Sequence, residues 1–309
     1  MKFRLIVFTL IVVLTYFILA HSVGNHCMTG AFLSDSPSAS DIENFKSTYG
    51  KNPLLVMVFV DWNEFVSQDV INAVYGEGCV LLVSWEPQNA ENKEPIDYDG
   101  FVSGKYDKYI SEFATRLKNF PGPVFLRFAH EANGNWYPWS ASVIGSEKYK
   151  AIYRRAKDIF DKSGAEKVKW IFSINWENVP KENKYQLCYP GNSYVDYIGI
   201  DGYNWGDAAS WSKWRSFKEV FSEAYNDASR HYKKPVLITE FSSSTSGGDK
   251  KEWIKQAFSE MKRMKNMKGF VIFLVNKETD WGIEPRSGIS VEMREQLKSP
   301  YFTEDKRRI

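Results

Sequence analysis

The 309 residues carry 40 Lys plus Arg against 38 Asp plus Glu, a formal net charge of +2. That balance excludes the basic excess or stripe of a nucleic-acid binder. The length suits one large domain or two small ones, and 43% apolar and aromatic residues supply a large core. The unusual figure is an aromatic fraction of 16%, with 11 Trp.

The chain opens MKFRLIVFTLIVVLTYFILAHS. Lys2 and Arg4 precede an uncharged, mostly apolar run from Leu5 to Ala20, and Ala20-His21-Ser22 places small residues at the −3 and −1 positions of a cut after Ser22. This is the pattern of an export signal over residues 1–22, so a secreted, extracellular protein is expected, with one catalytic domain over 23–309. An uncleaved segment would instead anchor the chain at its N-terminus, although the run falls short of the roughly 20 residues of a spanning helix. Gly24-Asn25-His26 before Cys27 does not form a lipidation box. The three cysteines, Cys27, Cys79 and Cys188, leave at least one thiol unpaired and show no C-x-x-C spacing, so no metal or other cofactor is expected.

Eight short apolar runs follow: Gly30–Ser34, Leu54–Asp61, Val80–Trp85, Val124–His130, Val168–Asn175, Val195–Asp201, Val236–Phe241 and Phe270–Val275. Several lack alternation, as strands buried on both faces of a parallel sheet do. Helices are predicted between most of them, over Asp41–Tyr49, Asn63–Tyr75, Lys105–Asn119, Ser146–Lys162, Trp211–Tyr232, Asp249–Lys265 and Ser287–Leu297, while Glu177–Asn192 reads as irregular. Eight strands alternating with helices predict a single α/β domain, a (β/α)8 TIM barrel. A doubly wound open sheet would carry a Gly-rich phosphate loop after an early strand; here the first run is followed by SDSPSAS.

In such a barrel, function sits at the C-terminal ends of the strands. Those ends carry Asp61-Trp62, Trp85-Glu86, His130-Glu131, Trp176-Glu177, Asp201 through Trp205, Glu240 and Asn276-Lys277, with Trp281 just beyond. Trp62, Trp85, Trp136, Trp139, Trp176, Trp205 and Trp281 all fall at or after a strand end. Aromatic faces stack on the apolar faces of sugars, and some would only cap the barrel core. Carboxylates with aromatic platforms and no metal cluster point to glycoside hydrolysis, which needs one protonated and one ionised carboxyl flanking the glycosidic oxygen. Glu86, Glu131, Glu177 and Glu240 are the glutamates so placed, and composition does not choose among them.

The segment RFAHEANGNWYPW, with VSWEP, YIGIDGYNW, ITEFSS and NKETDW in that order, resembles glycoside hydrolase family 26 from about Gly30 to Trp281. That is a family of retaining barrel enzymes best known for β-mannanases, with some members acting on mixed-linkage β-glucan or β-1,3-xylan. The resemblance implies that Glu131, closing the fourth strand, is the acid/base and Glu240, closing the seventh, the nucleophile. It further implies that His130 and Trp136 line the central sugar site, that Tyr203 hydrogen-bonds the nucleophile, and that Trp281 is a sugar platform. Trp85 is a further candidate for substrate binding. Arg127 shares strand parity with Glu131 and is either a site group or a buried ion-pair partner; Asp201 and Asn204 either touch substrate or anchor their loop. Glu86 and Glu177 read as structural or outer-site groups. Two positions beside the acid/base, Ala132 and Tyr137, bear on which sugar fits.

The expected activity is an endo-β-1,4-mannanase working on a β-linked polysaccharide, as a monomer. A mixed-linkage β-glucanase or other β-glucan or β-xylan hydrolase, a hydrolase of another retaining barrel family, and a non-catalytic carbohydrate-binding protein on the same fold are the alternatives. No nucleic-acid partner and no stable membrane insertion after cleavage are expected.

Overall fold

The computed structural model describes residues 26–309, so the export signal predicted over residues 1–22 lies outside the described residues. Eight strands run parallel: β1 (Gly30–Phe32), β2 (Leu55–Trp62), β3 (Val80–Asn89), β4 (Val124–Phe128), β5 (Val168–Asn175), β6 (Tyr197–Asn204), β7 (Val236–Ser243) and β8 (Met267–Phe273). Each pairs with the next, and β8 pairs back onto β1, closing the barrel. Two short strands, Cys27–Met28 and Phe302–Thr303, pair parallel beside β8 and tie the two ends of the described chain together.

Helices cover the outside. Their apolar faces and strand side chains such as Leu81, Val83 and Leu126 form one continuous buried layer, while Phe32, Leu55, Met57, Leu82, Phe125 and Leu237 fill the barrel interior. Sequence capping fixes several helix starts. Ser38 begins Ala39–Tyr49 with Asp41 reaching back to its amide, and Ser216 begins Phe217–His231 with Glu219 doing the same.

Two boundaries differ from the sequence expectation in ways that matter for the site. The long helix predicted from Trp211 starts only at Phe217, because Ser216 caps it; residues 205–216 are therefore free to form a loop at the barrel mouth. The fourth strand ends at Phe128 rather than His130, because Ala129 (φ 49°) and Glu131 (φ 54°) adopt the left-handed conformation. That region costs an L-residue roughly 1–2 kcal/mol. The turn is held laterally, Ala129 N donating to Trp85 O (3.0 Å) and Glu131 N to Ser173 O (2.9 Å). Among the described residues no helix is long and apolar enough to cross a membrane.

Candidate active site

A cavity of about 1170 Å³ opens at the C-terminal ends of the strands, and both Glu131 and Glu240 line it. Glu240 reaches it through an irregularity in β7. Ile200 of β6 pairs with Ile238, but Asp201 pairs with Glu240, so Thr239 is the extra residue of a bulge. Thr239 therefore bonds inward to Asp201, and Glu240 also faces inward. Phe241 then returns to the outer layer, stacked on Trp253.

Beneath Glu240 lies a closed polar layer. Arg127, with no exposed surface, donates from Nε to Ser84 Oγ (2.9 Å), from one terminal nitrogen to Asp201 (2.8 Å), and from the other to Glu240 Oε1. Asp201 also accepts from Ser173 (2.9 Å) and Thr239 (2.6 Å). Gly199 makes room for this layer: a Cβ there would stand 2.6 Å from Thr239 Oγ1 and 2.7 Å from Ser173 Oγ. Burial and the Glu240 charge push the Asp201 carboxyl up to about 7, while Arg127 and the two hydroxyls oppose the shift. From the cavity side Tyr203 donates to Glu240 Oε2 at 2.6 Å. Glu240 thus accepts at both oxygens.

Glu131 has a different environment. Asn175 Nδ2 donates to Oε1 (2.9 Å) and Trp136 Nε1 to Oε2 (2.8 Å). Burial, then the charges of Asp201 and Glu240, push its carboxyl up to about 8, against the lowering effect of those two donors. The turn that carries it is pinned to β5 by Asn133, whose side chain accepts from Asn175 N (2.8 Å) and donates to Asn175 O (2.9 Å). Two carboxyls thus line one cavity in different settings, Glu131 with its pKa raised to about 8 and Glu240 in an ion pair with Arg127.

The other sequence candidates divide. Trp136, 45% exposed, and Tyr203 line the cavity. Trp281 borders it with only 1% of its surface exposed, packed against Tyr203 (4.7 Å) and Trp205 (4.9 Å), so it backs the wall more than it offers an open face. Arg127 belongs to the polar layer below and positions Glu240 from outside the cavity. His130 is a correction of the same kind: it is buried, and its Nε2 meets the Tyr137 hydroxyl at 3.0 Å, so Tyr137 stands between it and the cavity. Burial, then Arg127, hold its pKa well below the ordinary value, and the ring is neutral.

Trp85 is corrected outright. It faces the helices, stacked 4.3 Å from Phe113 and 5.0 Å from Trp62, because Ser84, Glu86 and Gln88 take the inward positions of β3. Trp62 and Trp139 are likewise buried away from the cavity, whereas Trp176 and Trp205 line it. Asn204 anchors its loop, accepting from Arg215 N at 2.8 Å.

Glu86 lines the cavity, accepts from Gln88 (2.8 Å) and is pushed up to about 7 by burial and then by Asp61. Sequence reasoning missed Asn175 and Trp211, while Tyr137, singled out beside the acid/base, does line the cavity. Asn175 ends the fifth run, and the strand-end rule passed over it by one position in favour of Trp176.

The model of glycosyl hydrolase family 26 matches residues 35–274. Endoglucanase H of Acetivibrio thermocellus is 38% identical over 96% of this chain, which spans 34% of that protein. A mannan endo-1,4-β-mannosidase of Bifidobacterium adolescentis is 29% identical over 49% of the chain and 16% of its own length. The chain thus spans about a third of the first relative and about a sixth of the second. Among solved structures, the Bacteroides ovatus β-mannanase BoMan26A superposes with a TM-score of 0.67 at 17% identity, covering 91% of this chain and 90% of that one. The Bacillus subtilis mannanase BCman gives 0.64 at 21%, covering 90% and 86%. At these identities the two structures speak for the barrel fold.

Proposed function

The chain belongs to glycosyl hydrolase family 26, and from that premise we propose that it is a retaining endo-β-glycanase with Glu131 as acid/base and Glu240 as nucleophile. The observation that carries this reading is the opposite setting of two carboxyls on one cavity: Glu131 raised to about 8, Glu240 accepting from Tyr203 and Arg127.

In the first step a Glu240 oxygen attacks the anomeric carbon and the bond to the leaving oxygen breaks. Glu131 gives its proton to that oxygen. Attack turns the Glu240 anion into a neutral ester, which removes one of the charges that raised Glu131. Its pKa falls, and as a carboxylate it takes a proton from water, whose oxygen attacks the same carbon from the face the leaving group vacated. The ester bond breaks, the product keeps the β configuration, and both carboxyls return to their starting states.

Two polymers stand as substrate. The 38% identity to a protein named an endoglucanase, over nearly the whole chain, favours a β-glucan. Mannan, the expectation from sequence, is the second reading, supported by the mannosidase names of other relatives. An export signal over residues 1–22 fits action on an extracellular polymer. The test is a panel of soluble mixed-linkage β-glucan, galactomannan and β-xylan, with products sized and their first-formed anomer read by NMR. Short β-configured oligosaccharides from one polymer support the proposal; no turnover of any of them, or an α-configured first product, contradicts it.

A further inference from the structure

Trp211 and Trp136 are the exposed large aromatic residues among the described residues, and both line the same cavity. Trp136 is accounted for by its bond to Glu131. Trp211, 73% exposed, is not among the hydrogen-bond partners of either carboxylate, which are Trp136 and Asn175 for Glu131 and Arg127 and Tyr203 for Glu240. It is instead the outermost member of a line of rings: Tyr203, which donates to Glu240, lies 4.7 Å from Trp281; Trp281 lies 4.9 Å from Trp205; and Trp205 lies 5.1 Å from Trp211. The line leads from the nucleophile to solvent.

The loop that displays Trp211 is fastened on several sides. Arg215 N donates to Asn204 and Trp253 Nε1 donates to Arg215 O (2.9 Å). Asp207 N donates to Ser246 O at 3.0 Å. Gly206 (φ 53°) permits that approach, since a Cβ there would stand 1.8 Å from Ser246 O. An indole held open to water on an anchored loop forgoes burial worth making elsewhere in a protein.

We propose that Trp211, backed by Trp205, is a distal sugar-binding platform that stacks on a unit of the polysaccharide chain well away from the bond being cleaved. The proposal deepens the glycanase reading and rests on it for the nature of the ligand. An exposed indole on the catalytic cavity, braced by a second ring tilted 59° to it, suits the apolar face of a pyranose and discriminates little between sugars. Its contribution is therefore to hold long chains, so it acts on polymer and leaves short substrates alone.

The experiment compares wild type, Trp211→Ala and Trp211→Phe on two substrates: a soluble mixed-linkage β-glucan or galactomannan, whichever is turned over, and a short aryl β-glycoside. Loss of one aromatic contact lowers kcat/KM on polymer by about tenfold. The expected result is that fall for Trp211→Ala, carried by KM, with most of it restored in Trp211→Phe and no change on the aryl glycoside.

Polymer kinetics unchanged in Trp211→Ala would overturn the proposal, as would an equal loss on both substrates. Electrophoresis through gels containing each polymer reads the platform without turnover. Retardation of the wild type that weakens in Trp211→Ala supports it even if the catalytic reading fails; retardation equal in both, or absent in the wild type, overturns it. Sedimentation that shows a wild-type dimer and a Trp211→Ala monomer would assign Trp211 to a contact between copies and also overturn it.

Discussion

Arg127 and Glu240 form an ion pair that only one of them shares with solvent: the arginine is wholly enclosed, while the glutamate projects from it into the cavity. The same guanidinium holds Asp201, so the orientation of Glu240 depends on a group substrate does not meet. Arg127→Lys keeps the charge but not the fork. With one charge-assisted bond of about 1.5–3 kcal/mol lost, kcat should fall roughly tenfold to a hundredfold while KM stays near the wild-type value. Arg127→Met leaves Asp201 buried and unpaired and should cost about 3–5 kcal/mol of stability, measured by denaturant unfolding. A large rise in KM with kcat intact would instead place Arg127 against the sugar.

The raised Glu131 carboxyl sets a pH dependence. On an unactivated glycan, kcat/KM should fall as pH rises through about 8, where the acid loses its proton. An aryl glycoside whose leaving group needs no proton should lack that limb. Stability follows the same group. Between the ordinary carboxyl value of 4.5 and about 8 the folded state keeps a proton that the unfolded chain has lost, so stability declines across that window and levels off above it. Glu131→Gln removes the penalty and should raise Tm more at pH 8 than at pH 4.5. An equal gain at both would show that Glu131 titrates in its ordinary range.

Trp85 separates packing from binding. Trp85→Ala opens a void between β3 and the helix Asp107–Lys118 and should cost about 3–5 kcal/mol. The folded fraction should keep its kcat/KM within about twofold, since no contact to substrate is removed. Unchanged stability with raised KM would return Trp85 to the cavity.

Lys250 is buried beneath the loop after β8 and donates to the carbonyls of Asp280 (2.6 Å), Gly282 (2.8 Å) and Trp281 (3.0 Å). Burial lowers its ammonium to about 8. Lys250→Met takes that donor from the Asp280 and Gly282 carbonyls, at about 1–3 kcal/mol for each one that stays buried, while Trp281 O keeps Ser242 Oγ (2.8 Å). Faster amide exchange across residues 279–283 should accompany a rise in KM. Exchange confined to the wild-type rate would show that the loop holds itself.

The barrel was legible because its strands are buried on both faces, which writes them as apolar runs separated by helices. The two glutamates were placed by strand ends together with a family pattern around His130 and Glu131. What hid was local backbone geometry. Nothing in Thr239-Glu240 announces a bulge that turns both inward, and strand parity assigned Arg127 its inward face through a strand that stops before Glu131. Trp85 was misplaced although a signal existed: Ser84, Glu86 and Gln88 alternate with it, and polar residues of a barrel strand near its C-terminal end face the mouth. Trp211 was lost inside a predicted helix because amphipathic spacing continued past the Ser216 cap.

The central claim, that Glu240 attacks carbon and Glu131 serves it as acid and base, is tested most directly with Glu240→Ala on an aryl β-glycoside in the presence and absence of azide. The account predicts that turnover is lost without azide and returns with it, giving a glycosyl azide of inverted configuration. Turnover surviving the substitution without azide would contradict it, as would an inverted product from the wild type.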